Sequence, residues 1–308
     1  MLGVRMKFVC ERERGMLEAK LASMRGRDWM PEELLELIRQ TSQIQLRACA
    51  ALAAAPFALP EDKVTPEYAH RQGAPLLSPD HMPLPGRRGA LVFRKILDML
   101  RLRGDGLGAS AEEIHRALAR KAGSAGSLRP AQTFTALLRN DAAFFAHWAA
   151  RLPDVPALLR FLTLSSLTPS LMRLHAALTD RLRTSEIWPH GHCPLCGNPP
   201  LIGKLAGKEG LRFHSCSLCR LEYRAPRLGC PFCQEQRGDK LSVFTADTQP
   251  GYAAYACRTC KSYIKLADFR EYAGRVSLPA LDDLESLPLD MLAQQQGLAR
   301  LTSSAWGF

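Results

Sequence analysis

Residues 192–233 read HCPLCGNPPLIGKLAGKEGLRFHSCSLCRLEYRAPRLGCPFC, and residues 256–265 read ACRTCKSYIK. These two stretches hold four Cys-x-x-Cys pairs: Cys193/Cys196, Cys216/Cys219, Cys230/Cys233 and Cys257/Cys260. In such a turn both sulfurs face one side, and two turns joined by short strands close a tetrahedron of thiolates around one ion. The spacings C-x2-C-x19-C-x2-C and C-x2-C-x23-C-x2-C predict two tandem ribbon modules. Consecutive pairs are expected to share an ion, with interleaved pairing (first with third) as the alternative. The sequence does not fix the metal, since all-thiolate tetrahedra suit zinc or a single iron. Each module is too small to hold a core alone, so the ion is expected to supply folding free energy on the order of 10 kcal/mol. Cys193-Pro-Leu-Cys196 and Cys230-Pro-Phe-Cys233 share one form, which suggests an internal duplication.

Two roles compete for these sites. The simpler one is structural, a closed and inert S4 staple. The sharper one is a redox-responsive centre, of rubredoxin-type iron or labile thiols. A thioredoxin-like attacking thiolate would need a surrounding βαβ unit, and the neighbouring sequence has none.

Upstream of Thr184 the pattern is helical. Pro31 opens a segment with Leu34, Leu37, Ile38, Ile44 and Cys49 on one face, and Glu32, Glu33 and Glu36 favour its N-terminal end. The proline- and glycine-rich stretch from Pro56 to Arg88 reads as a long connection. Leu91, Val92, Ile96, Leu97, Met99 and Leu100 mark a second helix. Ser110-Ala-Glu-Glu113 has the form of a capping box opening a third. Further helices are expected at about 131–150 and 155–166. Thr168-Pro169 then reads as an N-cap and first turn leading to about Arg183. Downstream, short β-prone runs begin at Leu211, Leu221, Leu241, Tyr252 and Tyr263. The last segment, about Pro279 to Gln296, returns to helix.

The fold class expected is therefore α plus small β. An all-helical domain fills 1–183, metal ribbons fill 184–228 and 229–275, and a helical tail fills 276–308. No apolar run reaches the ~18–20 residues of a membrane span. The longest, Ala48 to Phe57, is short and alanine-rich, and the opening MLGVRMKFVCERERG lacks a signal core. The expected compartment is the cytoplasm, where paired cysteines read as metal ligands rather than disulfides.

The formal charge is +11 and the pI about 9.4, which raises the question of a nucleic-acid partner. Residues 181–275 hold 15 Lys/Arg and 8 Asp/Glu. Eight thiolates and two divalent ions lower that segment to about +3. The basic signal weakens where the chemistry lies, so nucleic acid is disfavoured.

Other candidates read as structural. Cys10 and Cys49 are expected to be unpaired, Cys49 as a small core residue. His190, His192 and His214 flank the cysteines and are expected beside the metal sites rather than in them. Gly104-Asp-Gly106-Leu-Gly108 follows a helix rather than a strand and reads as a turn. Asp282, Asp283 and Asp290 read as a solvated, helix-capping face. There is no P-loop, nucleophile elbow or HExxH, and no catalytic set is expected.

HCPLCGNPP, GLRFHSCSLCRLEYRAPRLGCPFC and YACRTCKSYIK together resemble the formate dehydrogenase accessory proteins of the FdhE family, and LDDLESLPLDMLAQQQGLAR is similar to that family's C-terminal segment. The resemblance runs from about Ile187 to Arg300, and upstream PEELLELIRQTSQIQL falls where a helical domain is expected. It implies a cytoplasmic maturation factor, or chaperone, that binds the molybdenum-containing catalytic subunit of formate dehydrogenase. It also implies two rubredoxin-like modules with the eight cysteines as ligands, and iron as the usual metal. Arg212, Glu222, Tyr223 and Arg227 match the family pattern between the second and third pairs, and the resemblance marks them for partner contact. The alternatives from other classes are a zinc-ribbon nucleic-acid binder and a CxxC thiol redox protein. Self-association is left open.

Overall fold

The computed structural model describes residues 2–27, 29–53 and 59–306. Two helices come first, α1 (Leu2–Met24) and α2 (Glu32–Ala53). α2 starts directly after Pro31, with Glu32 and Glu33 in its first turn, where the helix dipole favours anions. Of the connection expected from Pro56, residues 56–58 lie outside the described residues, as does Phe57 of the alanine-rich run. The described part contains one short helix, α3 (Glu67–Arg71). α4 (Gly86–Arg101) buries Val92, Phe93, Ile96, Leu97 and Leu100 on one stripe and leaves Leu91 exposed. α5 (Gly106–Ala119), α6 (Pro130–Leu138) and α7 (Ala142–Ala149) follow.

The longest helix, α8 (Leu158–Leu182), is apolar on almost every side and runs through the middle of the other helices. It passes straight through Thr168-Pro169, which corrects the expected break there. A proline at 169 has no N–H for the carbonyl of Ser165. The side-chain amide of Gln45, on α2, supplies the missing donor at 2.9 Å. Thr168 does not cap; its hydroxyl donates back to the Leu164 carbonyl. The expected capping box is corrected too. α5 begins at Gly106, capped by Asp105 accepting from the Gly108 amide, so Ser110 lies inside the helix.

Cys10 and Cys49 are joined as a disulfide between α1 and α2, where both had been expected unpaired. Packing of the two helices brings together positions 39 residues apart in sequence. Cys49 is nonetheless fully buried in the core.

The β part is one six-stranded sheet, built from β1 (Pro200–Ala206), β2 (Leu211–Cys216), β3 (Glu222–Arg224), β4 (Leu241–Phe244), β5 (Tyr252–Cys257) and β6 (Ser262–Asp268). The strand order is β3-β2-β1-β6-β5-β4. Each half is a small antiparallel sheet, and the seam between them is the parallel pair β1–β6, Gly203 opposite Leu266. At that seam a side chain on Gly203 would collide with Leu266 Cδ2 at 2.2 Å and the Phe213 carbonyl at 2.9 Å, so the glycine permits the close approach.

The tail forms α9 (Pro279–Glu285) and α10 (Leu287–Gln295), which pack on β1 and β5. Its acidic residues are not solvated. Asp282, Asp283 and Asp290 are buried, which overturns the expectation of an exposed face, and so is Glu285. Their partners come from elsewhere in the chain. Lys20 of α1 reaches Asp282 and Glu285, each at 2.5 Å, and Arg27 and Arg275 also pair with Glu285. Lys265 and Arg300 hold Asp283 and Asp290. Burial, and then the charges of Asp282 and Glu285, push the Tyr252 hydroxyl far up in pKa, so it stays protonated and donates to Glu285 at 2.6 Å.

The apolar core of the helices continues without a break into the first ribbon, through Leu195, Ile202, Leu218, Leu221 and Tyr223. The second ribbon packs instead on the tail, in two small clusters around Tyr263 and Leu289.

Candidate metal centres

All four Cys-x-x-Cys turns have the same backbone form. The residue after each second cysteine has a left-handed φ: Gly197 at 73°, Arg220 at 59°, Gln234 at 60° and Lys261 at 57°. In three of them that residue's amide donates back to the first cysteine's carbonyl: Gly197 to Cys193, Arg220 to Cys216 and Gln234 to Cys230. This curl turns both sulfurs to one side. Three of the four left-handed positions carry non-glycine residues, where that conformation is uncommon and strained.

The turns meet in consecutive order. Cys193, Cys196, Cys216 and Cys219 form one group and Cys230, Cys233, Cys257 and Cys260 the other, with ligand atoms within 4.8 Å of one another. Sulfurs of Cys193 and Cys219 stand 3.6 Å apart, and those of Cys196 and Cys216 3.5 Å. In the second group the Cys230–Cys260 and Cys233–Cys257 separations are both 3.6 Å. A tetrahedron with metal–sulfur bonds of about 2.3 Å has edges of about 3.8 Å, so both groups can hold an ion with little movement. His190, His192 and His214 belong to neither group. His192 meets the Gly73 carbonyl at 2.8 Å, His190 packs edge-on against Trp188, and His214 is buried against Tyr223.

The donor chemistry also fits a cation. Burial pushes the Cys193 and Cys219 thiols well up, while hydrogen bonds from Cys193, Cys216 and Cys219 hold Cys196 well down. A divalent ion lets all four be thiolates despite that burial. The amides of Leu218 and Cys219 donate to the Cys216 sulfur at 3.4 Å, which disperses negative charge.

The two centres differ in cover. All four cysteines of the first are buried. The long connection forms its outer wall: the amides of Leu76 and Leu77 donate to the carbonyls of Pro194 and Leu195 at 2.8 and 2.9 Å. In the second, Cys233 is exposed and Cys260 half-buried.

The four residues marked between the second and third turns fall on both sides of the surface. Tyr223 is buried and its hydroxyl donates to the Gly191 carbonyl at 2.8 Å. Arg212 is 3% exposed and donates to the Gly229 carbonyl at 3.2 Å. Glu222 is partly exposed and pairs with Lys204 at 2.6 Å, and Arg227 is exposed.

Residues 192–227 match the family model described as FdhE, central domain, and residues 228–305 match FdhE, C-terminal domain. Residues 192–305 are thus FdhE-like in sequence. The junction of the two family models falls between the two cysteine groups. A protein FdhE homolog of Aquifex aeolicus is 30% identical over 155 residues, 49% of this chain and 53% of that one. A protein FdhE homolog of Pseudomonas aeruginosa is 37% identical over 117 residues, 35% of this chain and 37% of the relative. The matched stretches thus span about half of one relative and little over a third of the other. The crystal structure of the FdhE protein from Pseudomonas aeruginosa superposes with a TM-score of 0.64 over 94% of both chains at 23% identity. The helical region therefore shares the FdhE fold as well.

The ion-pair residues Lys20, Lys265 and Arg300 escape a reading of motifs. One signal was present: Lys20 lies on the same helical stripe as Leu17 and Met24, three and four residues away. A lysine on an apolar stripe asks for a buried carboxylate.

Proposed function

We propose that this chain is an FdhE-family accessory factor in the maturation of formate dehydrogenase, acting by binding the molybdenum-containing catalytic subunit before assembly. The observation that carries this reading is the family match across both cysteine groups together. The closed geometry supports it: with all four corners occupied by sulfur, neither site leaves a position for substrate. An ion in each would act as a rigid staple, and iron would add a one-electron response. The eight cysteines are the proposed ligands, with iron or zinc as the metal.

In this reading the helical domain (1–183) and the two modules (184–228 and 229–275) present the client surface, braced by the tail (276–308). Glu222 and Arg227 are the residues of the marked set that face a partner, next to Leu228, which is 68% exposed. Arg212 and Tyr223 act from the interior by holding that segment in place. The proposed compartment is the cytoplasm; no described helix is long and apolar enough to cross a membrane.

The test is capture of a formate dehydrogenase catalytic subunit by the purified chain under strictly anaerobic conditions. Specific capture, weakened by R227E, is the expected result. Failure to capture it overturns the reading, and salt-sensitive retention on DNA or RNA in its place would favour the nucleic-acid alternative. Metal analysis with a visible spectrum on the same sample separates iron from zinc, because ferric S4 sites are coloured.

A further inference from the structure

Arg212 is a cation in an unusual place. It projects from β2, a strand of the first module, four residues before the ligand Cys216. Yet its side chain lies in the second module. Nη1 donates to the carbonyl of Gly229, the residue before Cys230. The guanidinium carbon lies 5.3 Å from the ring centre of Tyr255, two residues before Cys257. Arg212, Cys230, Cys257 and Tyr255 border one cavity of about 200 Å³.

No carboxylate pairs with Arg212 among the described residues, and its Nε and Nη2 are buried without hydrogen-bond partners. A buried charge left uncompensated is strongly destabilising. Burial draws the guanidinium down to about 10, and the groups opposing that drift are Tyr255, Cys230 and Tyr223. The remaining source of compensating charge is the second cysteine group. Four thiolates around a divalent ion leave two negative charges in excess, and two of the four cysteines, Cys230 and Cys257, line the same cavity as Arg212.

We propose that Arg212, supplied by the first module, is the built-in counter-charge of the second metal centre. The inference rests on metal occupying that centre. It makes the two modules one electrostatic unit: β2 is held in place by the first centre, and through Arg212 it stabilises the second. The arrangement favours the more negative state of the cluster, so with iron bound it favours the reduced form.

The test uses the full chain loaded with zinc, with release followed by a chromophoric chelator. Wild type is expected to bind two ions and release them in two phases, the second-centre phase being the one missing in C233S. R212M, which removes the charge and keeps most of the volume, is expected to speed that phase about tenfold and leave the other unchanged. R212K, which keeps the charge, is expected to stay near wild type. An unchanged second-centre phase in R212M overturns the proposal. So does equal acceleration in R212K, which would assign the effect to packing. A wild-type chain that binds no metal overturns the metal reading itself, and the proposal with it. With iron loaded, the reduction potential of the second centre is expected to fall in R212M; a potential that does not move argues against the counter-charge.

Discussion

Lys20 and Glu285 meet at 2.5 Å, both fully buried, across 265 residues of sequence. Asp282 and the Tyr252 hydroxyl complete the shell around the ammonium, and Arg27 and Arg275 hold the far side of Glu285. Taking one partner from a buried pair leaves the other uncompensated. K20M is therefore expected to destabilise the protein by about 3–5 kcal/mol. K20M combined with D282N should recover part of that loss, because Lys20 is the cation that meets Asp282 and no uncompensated carboxylate then remains at 282, whereas Glu285 keeps Arg27 and Arg275. Urea unfolding of the single and double variants measures the coupling. Additive losses would show that the two residues do not act as a pair.

Gln45 and Pro169 form a second test of matched parts. Removing the amide in Q45A leaves the Ser165 carbonyl without its donor, at a cost of about 1–3 kcal/mol. In a P169A background residue 169 brings its own N–H, and the same Q45A change should cost less than half as much. The comparison needs only thermal denaturation followed by helix signal.

Removal of metal should proceed in order. Cys233 is exposed and Cys260 half-buried, whereas the first group is walled in by residues 75–77. A strong chelator is expected to empty the second centre first. Alkylation followed by peptide mass analysis should then mark Cys233 and Cys260 well before Cys193 or Cys216. Labelling of all eight at one rate would contradict the difference in cover.

The seam of the sheet is sensitive to a single methyl group. G203A places a Cβ within 2.2 Å of Leu266 Cδ2 and 2.9 Å of the Phe213 carbonyl. Overpacking of this kind typically costs about 1–3 kcal/mol. Amide exchange should accelerate along β1 and β6 and stay unchanged in α4 and α5, which lie outside the sheet.

The convergence of the sulfurs is legible because it is local. Four pairs at fixed spacing decide where sulfurs converge, and strands β2 to β6 coincide with the β-prone runs between and after them. β1 was not seen, because Pro200-Leu-Ile-Gly-Lys-Leu-Ala carries a proline and a glycine that speak against a strand. The acidic tail was misread for a different reason. Asp282 has the pattern of a capping face when only its neighbours are considered, and the lysine that meets it lies in the first helix. Thr168-Pro169 was misread likewise, since the donor that makes a proline tolerable in mid-helix stands on α2. The Cys10–Cys49 pair depends on how α1 lies against α2. In each case what decides the structure is a partner remote in sequence.

The Lys20 cluster also sets an order of events during synthesis. Lys20 is made 262 residues before Asp282, and the ribosome adds residues one at a time from the N-terminus. Until the tail emerges, α1 carries a lysine on its apolar stripe without the two carboxylates that meet it in the finished fold. Arrival of α9 then closes the chain on itself. A truncated product lacking residues 279–295 would keep every cysteine, and the Cys10–Cys49 link between α1 and α2, and still leave Lys20 without its two carboxylates.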